Sequence, residues 1–373
     1  MSCLNCGDSL FFCMTWLKKI GFLTAFIIPL FTLIGFYIGG WANFITPLLV
    51  FVIIPLLDGF IGKDPENVTD AESIKLSEDF YYRLITYVWA FFQLGFVIWG
   101  CLVVATTTLE IHEWVGFVVS FALVTGGIGI TVAHELGHKK SKIEQFYSKL
   151  ILMTVGYMHF FIEHNKGHHV YVATPRDPAT SRKGEHFYKF WLRSVVGSYF
   201  SAWRLEFKRL ERKGFKKFSP HNQMIWFFLL PVFFTAALTM ATSVYTGQMQ
   251  WNVVVFMLIQ SFLAFSLLEM VNYIEHYGIV RKELAPGKYE RVTPMHSWNA
   301  NHRLSNFFLF QLQRHSDHHA NAIKRYQVLK HYDESPQLPA GYPSMILLAA
   351  FPPLWFQLIN PRLEEWEKQV YRA

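Results

Sequence analysis

Six apolar runs organise this chain. They cover about 20–38, 44–61, 84–106, 114–133, 225–244 and 253–274, each near the length of about 20 residues that a helix needs to cross a bilayer. Pro29, Pro55 and Pro231 interrupt three of them, which membrane helices tolerate. The pattern predicts an all-α fold of six transmembrane helices. Two further apolar stretches are too short or too broken to span. The run 150–162 reads as a helix at the membrane interface or docked on the bundle, and 343–359, with Pro352–Pro353, as a segment lying on the membrane. No repeat or low-complexity tract divides the chain, so 1–373 reads as a single integral-membrane domain. The first run lacks a cleavage pattern of small residues and reads as a retained span.

The polar positions give the orientation. All 34 Lys and Arg fall in 1–19, 63–83, 139–217 or from Arg281 onward, and none falls in 20–62, 84–138 or 218–280. With six spans, every cation-bearing segment lies on one face. The opposite connections, near 39–43, 107–113 and 245–252, carry only the acids Glu110 and Glu113. The positive-inside rule then places both termini and a histidine-rich cap, built from 139–217 and 277–373, in the cytosol. A cytoplasmic (inner) membrane is the expected location. The net charge of +7 is accounted for by a face near anionic lipid and implies no nucleic-acid partner.

Composition agrees with lipid as the main solvent. The chain is 52% hydrophobic and 16% charged, against about 25% charged in a soluble domain. Cys3 and Cys6 form a lone Cys-x-x-Cys, which lacks the second pair a zinc site needs and reads as free thiols.

Nine of the 16 histidines fall in four short motifs, all on the cation-bearing face. These are His134-Glu-Leu-Gly-His138-Lys139, Glu163-His164-Asn-Lys-Gly-His168-His169, Asn272-Tyr-Ile-Glu275-His276-Tyr-Gly278 and Gln313-Arg-His315-Ser-Asp317-His318-His319. Helical residues three and four apart share a face. His134 and His138 are thus expected to point together, as are His164 with His168, and His315 with His318 and His319. Imidazole is a common ligand for zinc, copper, iron and nickel. Nine ligands exceed what one reactive ion can accept, so four and five on two ions is the expected division. Glu135, Glu163, Glu269, Glu275 and Asp317 are candidates to orient the imidazoles. Ion pairs to Lys139, Lys166 or Arg314 are their ordinary alternative. Glu269 carries most weight, because an acid inside a span should face the interior and be paired.

These motifs, with Ala173-Thr-Pro-Arg-Asp-Pro-Ala-Thr-Ser-Arg182, His296-Ser-Trp-Asn299 and Leu312-Gln-Arg-His-Ser-Asp-His-His-Ala320, resemble the membrane-bound alkane monooxygenases over nearly the whole chain. The resemblance implies terminal hydroxylation of linear alkanes and molecular oxygen as oxidant. It also implies two iron ions on His134, His138, His164, His168, His169, His276, His315, His318 and His319. Electrons are implied to come from rubredoxin, itself served by rubredoxin reductase. Xylene-type hydroxylases and fatty-acyl desaturases belong to the same histidine-box class. The glycine-containing Glu163–His169 box and Asn272–Gly278 favour the alkane enzymes. A metal transporter should carry its ligands near the bilayer midplane, and here they cluster at span ends.

An alkane dissolved in lipid should reach such a site through an apolar tunnel between helices. Val50, Phe51, Ile54 and Leu56 of the second span are expected to line it. Val50 lies eight residues before Asp58, or about 12 Å along a helix.

Overall fold

The computed structural model describes residues 18–371. Cys3 and Cys6 lie outside them. The regular structure of the described chain is almost wholly helical, with one short hairpin, β1 (Glu283–Ala285) and β2 (Lys288–Tyr289).

Among the described residues six helices are long and apolar enough to cross a membrane: α1 (Lys18–Ile38), α2 (Gly40–Ile61), α4 (Phe80–Thr106), α5 (Ile111–Gly137), α9 (Gln223–Thr246) and α10 (Trp251–His276). Each contains one of the six expected runs. Between them lie α3 (Asp70–Glu78), α6 (Lys142–Thr154), α7 (residues 160–171) and α8 (Phe187–Arg212). After the hairpin come α11 (Arg303–Phe308), α12 (His315–Ala320), α13 (Tyr342–Ala349) and α14 (Pro352–Tyr371).

At the end with short connections, α1 turns into α2 at Gly39, whose φ of 79° suits glycine. Thr32 and Thr46 hydroxyls meet at 3.0 Å across that hairpin. The Gly40 amide donates to Glu113 Oε1 at 2.6 Å, tying the hairpin to the start of α5. Helix α5 is the central element. Its Gly126 lets α10 approach so closely that a Cβ there would lie 2.6 Å from Ala264 Cα. A buried polar chain crosses the bundle beside it. Trp89 Nε1 donates to Gln93, Gln93 Nε2 to Thr154, Thr125 to Gln260, and Gln260 Nε2 to the Thr154 carbonyl. Each side-chain amide is thereby satisfied inside an apolar bundle, where an unpaired one is costly.

At the other end the long segments close over the spans. The Asp58 carboxylate, at the end of α2, accepts from the amides of Leu304 and Ser305. Arg314 is buried and donates to Asn301 and to the carbonyls of Leu329 and Asp64. Lys139 joins Glu135 at 2.9 Å and donates to the Lys324 carbonyl.

Two expectations change. The run 150–162 is not one helix. It comprises the end of α6, docked on the bundle through buried Ile151 and Leu152, a break at Gly156 (φ 62°), and the start of α7. The stretch 139–217 is not all cap either. Helix α8 runs beside α10, with Phe190 against Tyr273, Trp191 against Phe262 and Phe265, and Trp191 Nε1 donating to Ser266 Oγ at 3.1 Å.

Candidate metal centre

Four elements deliver the nine histidines to one region: the end of α5 with His138 just past it, the middle of α7, the last residue of α10, and α12. They form two groups. His134, His138, His164, His169 and His318 make one, and His168, His276, His315 and His319 the other, with the ligand atoms of each group within 4.8 Å of one another.

The ring nitrogens face inward. In the first group the Nε2–Nε2 distances are 3.4 Å for His134–His138, 3.0 Å for His138–His164, 3.1 Å for His164–His169 and 3.2 Å for His169–His318. In the second they are 3.3 Å for His168–His319 and 3.3 Å for His276–His315. Two imidazole nitrogens bound at right angles at about 2.1 Å from one ion lie about 3 Å apart. Burial pushes His138, His164, His169, His315, His318 and His319 well below the ordinary histidine pKa. The rings are therefore neutral and their lone pairs free, which is the state a metal requires. The donor set, nitrogen-only and tightly convergent, fits two first-row transition-metal ions.

The grouping departs from the expected pairing at two places, within α7 and at His318 of α12. His164 and His168 were expected to point together, yet they belong to different groups. Residues His164–His168 are π-helical, and the His169 amide donates to the His164 carbonyl. An i→i+5 pattern brings residues five apart into register, so His164 shares its group with His169. In α12 the α-helical count holds for His315 and His319, while His318 turns to the first group.

The candidate orienting acids separate by role. Glu269 lies buried in α10 and accepts from Tyr157 Oη at 2.8 Å. Glu163 lies beside it in a small polar cavity shared by Tyr157, His159, His164, His168 and Asn272. Glu275 Oε1 accepts from Tyr342 Oη at 2.7 Å, while Oε2 stands 3.2 Å from His315 Nε2. That is the nitrogen facing into the group, so Glu275 is at the edge of the ligand sphere rather than behind it. Glu135 and Asp317 are corrected. Among the described residues Glu135 holds Lys139 and the Tyr326 amide. Asp317 holds Lys324, Asn321, Tyr332 and the Lys330 amide. Both pin the cap, because cations and amides of 321–332 reach them first.

One orienting acid was not among the candidates. Asp177 Oδ2 lies 2.8 Å from His168 Nδ1, the ring atom opposite the metal-facing nitrogen. Thr180 and the Ala179 amide hold the carboxylate. Its only sequence signal is its place in the Ala173–Arg182 motif.

An apolar cleft leads to the histidines. Val50, Phe51 and Ile54 line it from α2, Leu123, Gly127 and Thr131 from α5, and Leu267 and Val271 from α10. It ends on His134, His164 and His315, which come from both groups. Leu56 does not line it and is 59% exposed. It lies two residues from Ile54, on the far side of the helix.

Comparison with known proteins completes the picture. The family model described as fatty acid desaturase matches residues 112–349. The chain is 44% identical over 322 residues to alkane 1-monooxygenase 2 of Pseudomonas aeruginosa, covering 85% of this chain and 83% of the relative. It is 42% identical over 362 residues to alkane 1-monooxygenase 2 of Alcanivorax borkumensis, covering 95% and 93%. The xylene/toluene monooxygenase hydroxylase component of Pseudomonas putida is 29% identical over 359 residues, covering 93% and 90%.

Proposed function

The chain belongs to the alkane 1-monooxygenase family, and from that premise we propose that it uses molecular oxygen, two iron ions and electrons from rubredoxin to hydroxylate linear alkanes at the terminal carbon. The observation that carries this reading is the meeting of the apolar cleft with both histidine groups at His134, His164 and His315.

An alkane has no polar handle, so acid or base chemistry cannot activate it. Bound irons would supply the electron transfer to oxygen and the oxidising power that an unactivated C–H bond demands. Overall, alkane and O2 with two electrons and two protons give alcohol and water. The residues supply the rest. Five histidines would hold one iron and four the other. Asp177 fixes the ring of His168 through Nδ1, and Tyr342 fixes Glu275 at the edge of the second group. The aliphatic walls from α2, α5 and α10 hold a chain end-on by shape and exclude water, which favours attack at the terminal methyl. Tyr157 holds Glu269 in place beneath Glu163. Burial pushes the Glu163 carboxyl well above its ordinary range.

The protein is a multi-pass membrane protein. The confinement of cations to one face supports an inner-membrane location with both termini and the histidines in the cytosol. A basic cap there suits an acidic electron-donor protein, and 1–373 works as one domain.

The test is product analysis. Purified protein with rubredoxin, its reductase, NADH and an alkane series under ¹⁸O2 should give primary alcohols carrying one ¹⁸O. Alkenes without the label would indicate desaturation, and no product in a fully reduced system would remove the assignment.

A further inference from the structure

Helix α8 carries an exposed line at four-residue spacing. Tyr188, Leu192, Val196 and Phe200 are each 46–61% exposed. The same line continues through exposed Arg204, Lys208 and Arg212. The opposite line, Phe190, Ser194, Ser198, Ala202, Glu206 and Leu210, is buried. The exposed surface is thus apolar in its first half and cationic in its second.

Two contacts place this helix relative to the spans. Trp191 bonds to Ser266, ten residues before the end of α10, or about 15 Å along it. At the other end Glu206 accepts from the Gln223 amide at the start of α9. The apolar half therefore lies below the ends of the spans and the cationic half at their boundary. Tyr188 Oη donates to the Ala350 carbonyl, and exposed Leu347, Phe351 and Leu354 extend the apolar surface.

The boundary is strongly basic. Residues 204–218 hold Arg204, Lys208, Arg209, Arg212, Lys213, Lys216 and Lys217 against two acids. Of these acids, Glu206 is buried against Arg209 at 2.6 Å and Glu211 is exposed. Arg204, Lys208 and Arg212 are in no ion pair among the described residues. Phe218 is 77% exposed beside them, and the chain enters span α9 within five residues.

We propose that α8 is an in-plane helix that binds an anionic phospholipid of the same bilayer, with acyl chain along Leu192, Val196 and Phe200 and phosphate against Arg204, Lys208 and Arg212. Apolar side chains at this depth are solvated by acyl chains. Basic residues at the boundary attract anionic headgroups, each cation contributing about fivefold in affinity. An acidic protein would match the cations but not the apolar half, which continues below the span ends. The lipid would bear on the metal centre, because the inner face of α8 supports α7. A Cβ on Gly167, between His164 and His168, would lie 3.3 Å from Leu205.

The full-length protein in nanodiscs of phosphatidylcholine with one-fifth phosphatidylglycerol provides the test, without reference to catalysis. Native mass spectrometry should find phosphatidylglycerol retained several-fold above its share. The combined variant Arg204→Gln, Lys208→Gln and Arg212→Gln should lose that preference at unchanged metal content and melting temperature. A spin label on Leu192→Cys should be reached by oxygen and shielded from an aqueous nickel chelate. No preference in the wild-type protein, an unchanged preference in the triple variant, or a Leu192 label open to the chelate would each overturn the proposal. The last outcome would leave this surface to an acidic protein.

Discussion

The carboxylate of Asp177 stands 2.8 Å from Nδ1 of His168, on the side of the ring away from the other histidines. The contact fixes which nitrogen of His168 faces the second group, and both residues are buried. A carboxylate at this position typically contributes 10–100-fold in metal affinity. Asp177→Asn should therefore lower metal affinity by about tenfold or more while the helical content is kept. Metal titration of the purified apoprotein against a competing chelator measures this, and unchanged affinity would contradict the role.

The division of the histidines predicts separable losses. His276→Ala removes a ligand from the group of four and His138→Ala one from the group of five. Each should lose chiefly one ion of the pair, and activity with it. His318→Ala should resemble His138→Ala. Elemental analysis of the three proteins decides this. Loss of both ions in every variant would mean that the two groups bind as one unit.

Cleft lining distinguishes Val50 from Leu56. Val50 faces the cleft and Leu56 faces away. Val50→Trp should shorten the preferred alkane, moving turnover from hexadecane toward octane at unchanged metal content. Leu56→Trp should leave the chain-length profile as it is. Competition between alkanes, read by gas chromatography, compares the two.

Close packing at the centre of the bundle predicts a stability effect. A Cβ at Gly126 meets backbone atoms of Ala264, which cannot rotate away. Gly126→Ala should destabilise the protein by about 1–3 kcal/mol, the usual cost of overpacking. A lowered melting temperature in detergent checks it.

The cation pattern predicts sidedness. A cysteine placed at Glu110 should react with an impermeant reagent from the outer side, and one at Lys216 from the cytosolic side. Labelling in intact and inverted vesicles reads both, and the reverse pattern would invert the topology.

The six spans were legible in the sequence because a bilayer imposes a length and forbids unpaired charge, and both constraints act on contiguous residues. The nine histidines were legible for a similar reason, since their spacing within each motif is local. Their sorting was not. It depends on a π-helical turn at His164–His168, where an i→i+5 bond replaces the α-helical one, and such a turn is set by what packs around it. Asp177 reaches His168 only because the chain reverses between them, and Glu135 and Asp317 turn to the cap because 321–332 folds back over them. The cleft is walled by several helices at once, so α2 alone offered both Val50 and Leu56 without saying which faces inward. In α8 a basic average over 139–217 concealed an apolar line four residues apart. Local pattern determined which segments enter the membrane and which side chains have metal chemistry. Packing between distant segments decided the grouping, the cleft wall and the partners of each acid, because those depend on distances that no stretch of sequence contains.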